Sequence, residues 1–160
     1  MVVVKVIRHS GSGILYLQNM CKYMTDARSI AYGGYGVNPS NLYEAYTQML
    51  TVRKQYGQMS SNPLVHIVVS LDGKCDDKEY AIQAAPKITA YFKENYQLMW
   101  CVHCADESFK HHHIHILLHS VNVMNGKLFH SGPYEINGFA YHLKKITDRP
   151  FKVYYECITD

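Results

Sequence analysis

No stretch of this chain approaches the roughly 20 consecutive apolar residues needed to cross a bilayer. Its opening residues also lack the basic lead, longer apolar core and small-residue cleavage site of a secretory signal. Both absences predict a chain that neither inserts into a membrane nor is exported. The five cysteines are odd in number and show no disulfide-like spacing, which favours a reducing cytoplasm over an oxidised scaffold. Repeats, low-complexity tracts and linkers are missing, so the 160 residues read as one domain, 1–160, with a single core. An excess of one charge is missing too. Sixteen Lys and Arg against 13 Asp and Glu give only +3, which permits a polyanionic partner without demanding one. Tryptophan occurs once and phenylalanine five times, whereas tyrosine occurs 14 times. Tyrosine packs in cores, stacks on unpaired bases and hydrogen-bonds phosphates, so the skew alone selects no function.

Punctuation along the chain predicts a mixture of strands and helices. Val2–Arg8 is short and β-branched, and Ser10-Gly11-Ser12-Gly13 turns it into a helix over about Ile14–Thr25. Arg28–Pro39, rich in Gly and Tyr, reads as a loop. Ser40 or Asn41 caps a second helix to about Tyr56. Leu64–Leu71 follows as a strand. Asp76-Asp77-Lys78-Glu79 then opens a helix to about Asn95, with Pro86 as a possible kink. Leu98–Cys104 is a strand, Ala105–Lys110 a polar connection and His111–Met124 a further strand. Asn125-Gly126 turns that strand back into Lys127–His130. A helix over Tyr134–Asp148 and a strand over Phe151–Cys157 close the chain. The expected class is α+β, a central antiparallel sheet flanked by helices.

The histidine-rich strand carries the densest chemistry. Residues two apart share a face, which aligns His111, His113, His115 and His119 and turns Ile114, Ile116 and Leu118 toward a core. An H-x-H pair such as His113 and His115 can direct two imidazole nitrogens at one metal ion. His103, ending the preceding strand, is a third ligand if those strands pair. Asp106 or Glu107 can supply a carboxylate that orients an imidazole. Cys101-Val102-His103-Cys104 offers a rival structural zinc site, although strand alternation sends the two thiols to opposite faces.

The order of motifs resembles the HUH endonucleases, and within them the P-type relaxases or mobilization nucleases. Lys22-Tyr23-Met24-Thr25-Asp26 resembles the family's nucleophile motif, and His66-Ile67-Val68-Val69-Ser70-Leu71 the strand whose serine contacts DNA near the cut. Val102-His103 with Asp106, and His111-x-His113-x-His115 followed by Ser120-Val121-Asn122, resemble the metal motif. Two features depart from the family pattern. The connection from His103 to His113 is longer than usual, which makes His111 an alternative third ligand. His119 stands where the family often has asparagine.

The resemblance implies an HUH (relaxase) fold and metal-dependent nicking of single-stranded DNA at an origin of transfer. Tyr23 would form a 5′-phosphotyrosine intermediate with a divalent ion present. Mg²⁺ or Mn²⁺ suits function, and Zn²⁺ or Ni²⁺ is possible as bound. It implies a bacterial cytoplasmic enzyme of plasmid or integrative-element mobilization, with accessory relaxosome and coupling proteins as possible partners. Tyr16, two helical turns before Tyr23, is the competing nucleophile. Tyr32 and Tyr35 are candidates for base stacking, and Arg53, Lys54 and Lys110 for phosphate contacts. Other readings are a replication initiator or single-tyrosine transposase using Tyr134, Tyr141, Tyr154 or Tyr155, and a zinc-stabilised nucleic-acid-binding module without catalysis.

Overall fold

Alternation along the strands decides which side of the sheet each residue serves. In the computed structural model, which describes residues 1–11 and 13–158, six strands form one sheet in the order β2-β4-β5-β3-β1-β6. The strands are β1 (Val2–His9), β2 (Ser29–Tyr35), β3 (Leu64–Ser70), β4 (Leu98–His103), β5 (His113–His119) and β6 (Phe151–Ile158). The helices are α1 (Ile14–Tyr23), α2 (Leu42–Gln55), α3 (Lys78–Thr89) and α4 (Pro133–Thr147). The α+β class is the expected one, with one difference in the sheet. Four of the strand pairs are antiparallel, but β6 returns parallel to β1, so the sheet is mixed.

One face of the sheet meets α3 and α4. Val4, Ile67, Ile116 and Trp100 join Ala85, Ile88, Phe139 and Leu143 in the larger core. The opposite face meets α1 and α2, where Leu17, Cys21, Ala45 and Met49 cover Leu64, Met99, Cys101 and Leu117. That cover is lopsided. On β1 the residues of the second face, Val3, Lys5 and Ile7, stay half-exposed.

Local chemistry sets the helix ends. Asn41 accepts from the backbone N–H of Glu44 to start α2, and Asp77 accepts from Tyr80 to start α3. Glu135 reaches back to the backbone N–H of Gly132 ahead of α4. Helix α3 runs through Pro86 to Thr89 and tightens to a 3₁₀ turn at Ala90–Phe92, short of the expected Asn95.

The expected loop at Arg28–Pro39 contains an edge strand instead. Its glycines serve close packing: a Cβ on Gly33 would lie 2.6 Å from the Trp100 ring, so the indole takes the space of a side chain. The histidine strand is shorter than expected. His111 and His112 precede it, and past His119 the chain leaves the sheet. Asn125-Gly126 does turn, with Gly126 at φ +73°, but the return is a single bridge between Val121 and Leu128.

Arg53 is another correction. It is 1% exposed, and its Nε donates to the carbonyl of Gln58 (3.3 Å) while Nη2 donates to those of Met59 (2.8 Å) and Ser61 (2.7 Å). The guanidinium fastens the turn after α2 and is not presented to a phosphate. Arg53→Met should therefore lower unfolding free energy in urea by about 3 kcal/mol, because buried carbonyls lose their donor. Its affinity for single-stranded DNA should stay within about twofold of the parent at temperatures where both are folded.

Candidate functional site

Strand register assembles the site. Across the second face, His103 of β4 pairs with His113 of β5, and His113 with Ser70 of β3. One step along, Cys101, His115 and Val68 form the next row. His103, His113 and His115 thus meet where the antiparallel strands β4 and β5 align. One ligand-capable atom from each lies within 4.8 Å of the others. All three side chains are buried.

Hydrogen bonds aim the rings. His113 Nδ1 sits 3.0 Å from the His111 carbonyl and donates to it, which leaves the lone pair on Nε2. That Nε2 is buried and has no hydrogen-bond partner among the described residues. His115 Nδ1 is 2.8 Å from His66 Nε2, and His66 Nδ1 is 3.4 Å from His9 Nε2. The partner of His115 is therefore a second imidazole, backed by a third. Asp106 spends Oδ1 on the backbone N–H groups of Ser108 and Phe109, closing a turn that stacks Phe109 on His113, with centroids 4.5 Å apart. Glu107 is exposed in the same turn. Neither carboxylate hydrogen-bonds a triad ring, contrary to the expectation from sequence.

Burial keeps these imidazoles uncharged. Desolvation, reinforced by neighbouring imidazoles, pushes His66 down to about 3 and His115 to about 2. His103 and His113 are lowered for the same first reason. Neutral imidazoles are the form that binds a cation.

Tyr23, the last residue of α1, reaches this cluster. Its hydroxyl lies 3.4 Å from His115 Nε2, and its ring sits edge-on to His115, His66 and His103. Burial raises its phenol above the ordinary value, with the Arg28 cation the largest opposing influence. Tyr16 packs beside His9, with ring centroids 5.9 Å apart.

The remaining expected residues divide clearly. His111 stands outside the group of converging ligand atoms, which is His103, His113 and His115; its Nδ1 lies 2.6 Å from Asp76, which also binds the His112 ring and backbone. Neither Cys101 nor Cys104 joins the group of possible ligands. Ser70, Tyr23, His66 and His115 line one cavity of about 490 Å³ over the uncovered part of the sheet. Tyr32 and Lys54 are exposed on β2 and α2, and Lys110 is exposed in the loop between β4 and β5. Tyr35 turns toward the larger core, and its hydroxyl donates to the Pro86 carbonyl. Tyr134 and Tyr141 lie on α4, which packs on the other face, and Tyr154 and Tyr155 on β6. Sequence reasoning passed over His9, the role of His66, Phe109, Asp76 and Arg28. The alternation of Leu64–Leu71, which puts His66 and Ser70 on one face, was a usable signal for His66.

The lowered values carry a definite pH dependence. A buried neutral imidazole binds fewer protons than the same group unfolded, so its stabilising contribution is complete above about pH 6.5 and is lost as pH falls. His119, buried at the end of β5 near the Arg53 cation, is held down to about 3. In chelator, unfolding free energy should fall with acidification by up to about 1.4 kcal/mol per pH unit for each such group. Urea titrations of His119→Leu should show a slope between pH 5.5 and 4 that is shallower by about one group's share. An unchanged slope would contradict neutral burial of His119.

No curated protein and no solved structure matches the chain. The family model described as "Relaxase: MobA/VirD2-like, nuclease domain" matches residues 16–149, a span that holds Tyr23, His66, His103, His113 and His115. Taken with the α+β sheet and the three converging histidines, that match over most of its length means the chain belongs to the relaxase family, as a MobA/VirD2-like nuclease domain.

Proposed function

We propose that this protein is a site- and strand-specific nicking enzyme for single-stranded DNA at an origin of transfer, with Tyr23 as nucleophile. The observation that carries the reading is the Tyr23 hydroxyl 3.4 Å from an imidazole of a triad able to hold a metal ion. The phenolic oxygen forms a bond to phosphorus while the bond from phosphorus to the 3′ oxygen breaks. The products are a 5′-phosphotyrosine and a 3′-hydroxyl, the phenolic proton passing to solvent and the departing oxygen taking one up. The phosphodiester energy is kept in the new bond, so religation needs no nucleotide cofactor.

An isolated phenol has a pKa near 10, so forming its anion at pH 7 costs about 4 kcal/mol. Burial at Tyr23 increases that cost, so positive charge must offset it. The orphaned Nε2 of His113 and the neutral state of all three rings suit a divalent cation held by His103, His113 and His115. Such an ion, Mg²⁺ or Mn²⁺ in function, would supply polarisation of a non-bridging phosphate oxygen. With His115 Nε2 turned to a cation, its Nδ1–H donates to His66, and His66 donates in turn to His9. Those two residues orient the ligand from behind. Ser70 and the half-exposed Val3, Lys5 and Ile7 offer a floor for the DNA strand. Membership of the relaxase family supports a wider role in mobilization of a plasmid or integrative element, with accessory relaxosome and coupling proteins as partners.

Incubation of the protein with fluorescent single-stranded oligonucleotides spanning an origin of transfer and Mn²⁺ should give a slow-migrating covalent adduct. Tyr23→Phe should reduce it at least 1,000-fold, on the order expected for removing a nucleophile. An adduct that persists in Tyr23→Phe and is lost on changing Tyr134, Tyr141, Tyr154 or Tyr155 would instead identify another HUH chemistry. Chelator should abolish cleavage while leaving the circular dichroism spectrum intact. Unfolding on chelation would point to a structural zinc module.

A further inference from the structure

Arg28 stands five residues after Tyr23, at the threshold of β2, and no motif drew attention to it. Its guanidinium carbon lies 5.0 Å from the centre of the Tyr23 ring. Asp26 fixes it there: one carboxylate oxygen accepts from Nε (3.2 Å) and Nη2 (2.7 Å), and the other from the Arg28 backbone N–H (2.9 Å). That arrangement leaves Nη1, with its two N–H groups, outside the ion pair. Unlike Arg53, the side chain is 59% exposed, so it is a poor structural anchor. With Tyr23, His103, Asp106, Phe109 and His113, it lines a cavity of about 210 Å³. One small cavity therefore holds the proposed nucleophile, two of the triad imidazoles and a guanidinium hydrogen-bonded to its neighbour Asp26.

Resting on the reading of Tyr23 as nucleophile, we propose that Arg28 is a further catalytic residue that binds a non-bridging oxygen of the scissile phosphate. The bond from the Tyr23 oxygen to phosphorus forms while the bond from phosphorus to O3′ breaks, and negative charge gathers on the non-bridging oxygens between them. A planar guanidinium is suited to phosphate oxygens, and a donor oriented beforehand by Asp26 needs less reorganisation as that charge grows. Asp26 is a positioning residue, since it acts only by holding Arg28.

Two measurements on the full chain test the assignment together. At saturating oligonucleotide and Mn²⁺, Arg28→Ala should lower the rate of Tyr23 adduct formation about 100-fold, the size typical of one lost oxyanion donor, and Arg28→Lys should recover part of it. Binding is read separately in a Tyr23→Phe background with chelator, using oligonucleotides with either a normal or a methylphosphonate linkage at the scissile position. With Arg28 present, neutralising that one linkage should weaken binding about tenfold for at least one diastereomer. With Arg28→Ala, the same change should cost less than about twofold, because the two changes remove one contact. A rate within threefold of the parent would overturn the proposal. So would an equal methylphosphonate penalty in both backgrounds, since Arg28 would then act on the loop or on Tyr23 alone. If the parent's adduct maps to a different tyrosine, the reading of Tyr23 fails first. If Tyr23 forms the adduct and Arg28→Ala changes neither measurement, only the role of Arg28 falls.

Discussion

The site depends on holding several imidazoles together without charge. His66, His103, His113 and His115 crowd one face of the sheet, where a protonated ring would lack water to solvate it and a second protonated ring would repel the first. Desolvation drives all four to the neutral form. Neutrality then imposes a tautomer on each ring. The His111 carbonyl fixes that of His113, leaving its Nε2 lone pair facing inward. The core that insulates these rings is therefore part of the chemistry, because without it the cluster would be a set of mutually repelling cations at mild acidity.

The layering explains why the cluster is insulated yet reachable. α1 and α2 roof the sheet over β4 and β5, burying His103, His113 and His115. The roof stops before β1, and a cavity opens there beside Ser70 and His66. Tyr23 ends α1 at this boundary, so its ring takes part in packing while its hydroxyl faces the imidazoles. A residue deeper in the helix would be walled in, and one further along would lose the support that directs it.

What could be read from the chain follows from the range of the forces involved. The H-x-H pair on one strand face was legible because alternation is a local property. Tyr23 was singled out by its resemblance to a motif, and now stands beside His115. Pairing of β4 with β5, which brings His103 rather than His111 to His113 and His115, is non-local. β2 was misread as a loop because its Gly33 answers to Trp100 and its Gly34 to the Leu98 carbonyl, both more than 60 residues away in sequence. Arg53 looked like a surface cation because composition does not show that three carbonyls converge on it. Asp106 kept its place near the histidines but exchanged an imidazole for a backbone turn, a distinction of a few ångströms that spacing cannot resolve.

Asp76 sits just ahead of α3, the helix that packs on the far face of the sheet. By gripping both His111 and His112 it fixes the peptide whose carbonyl accepts from His113 Nδ1. The ring that lines the cavity beside Tyr23 and Arg28 thus takes its bearing from a carboxylate that does not line it. Sequence drift at the start of α3 can in this way retune the orientation of an imidazole remotely, giving selection or design a dial on the histidine cluster that leaves every residue inside it unchanged.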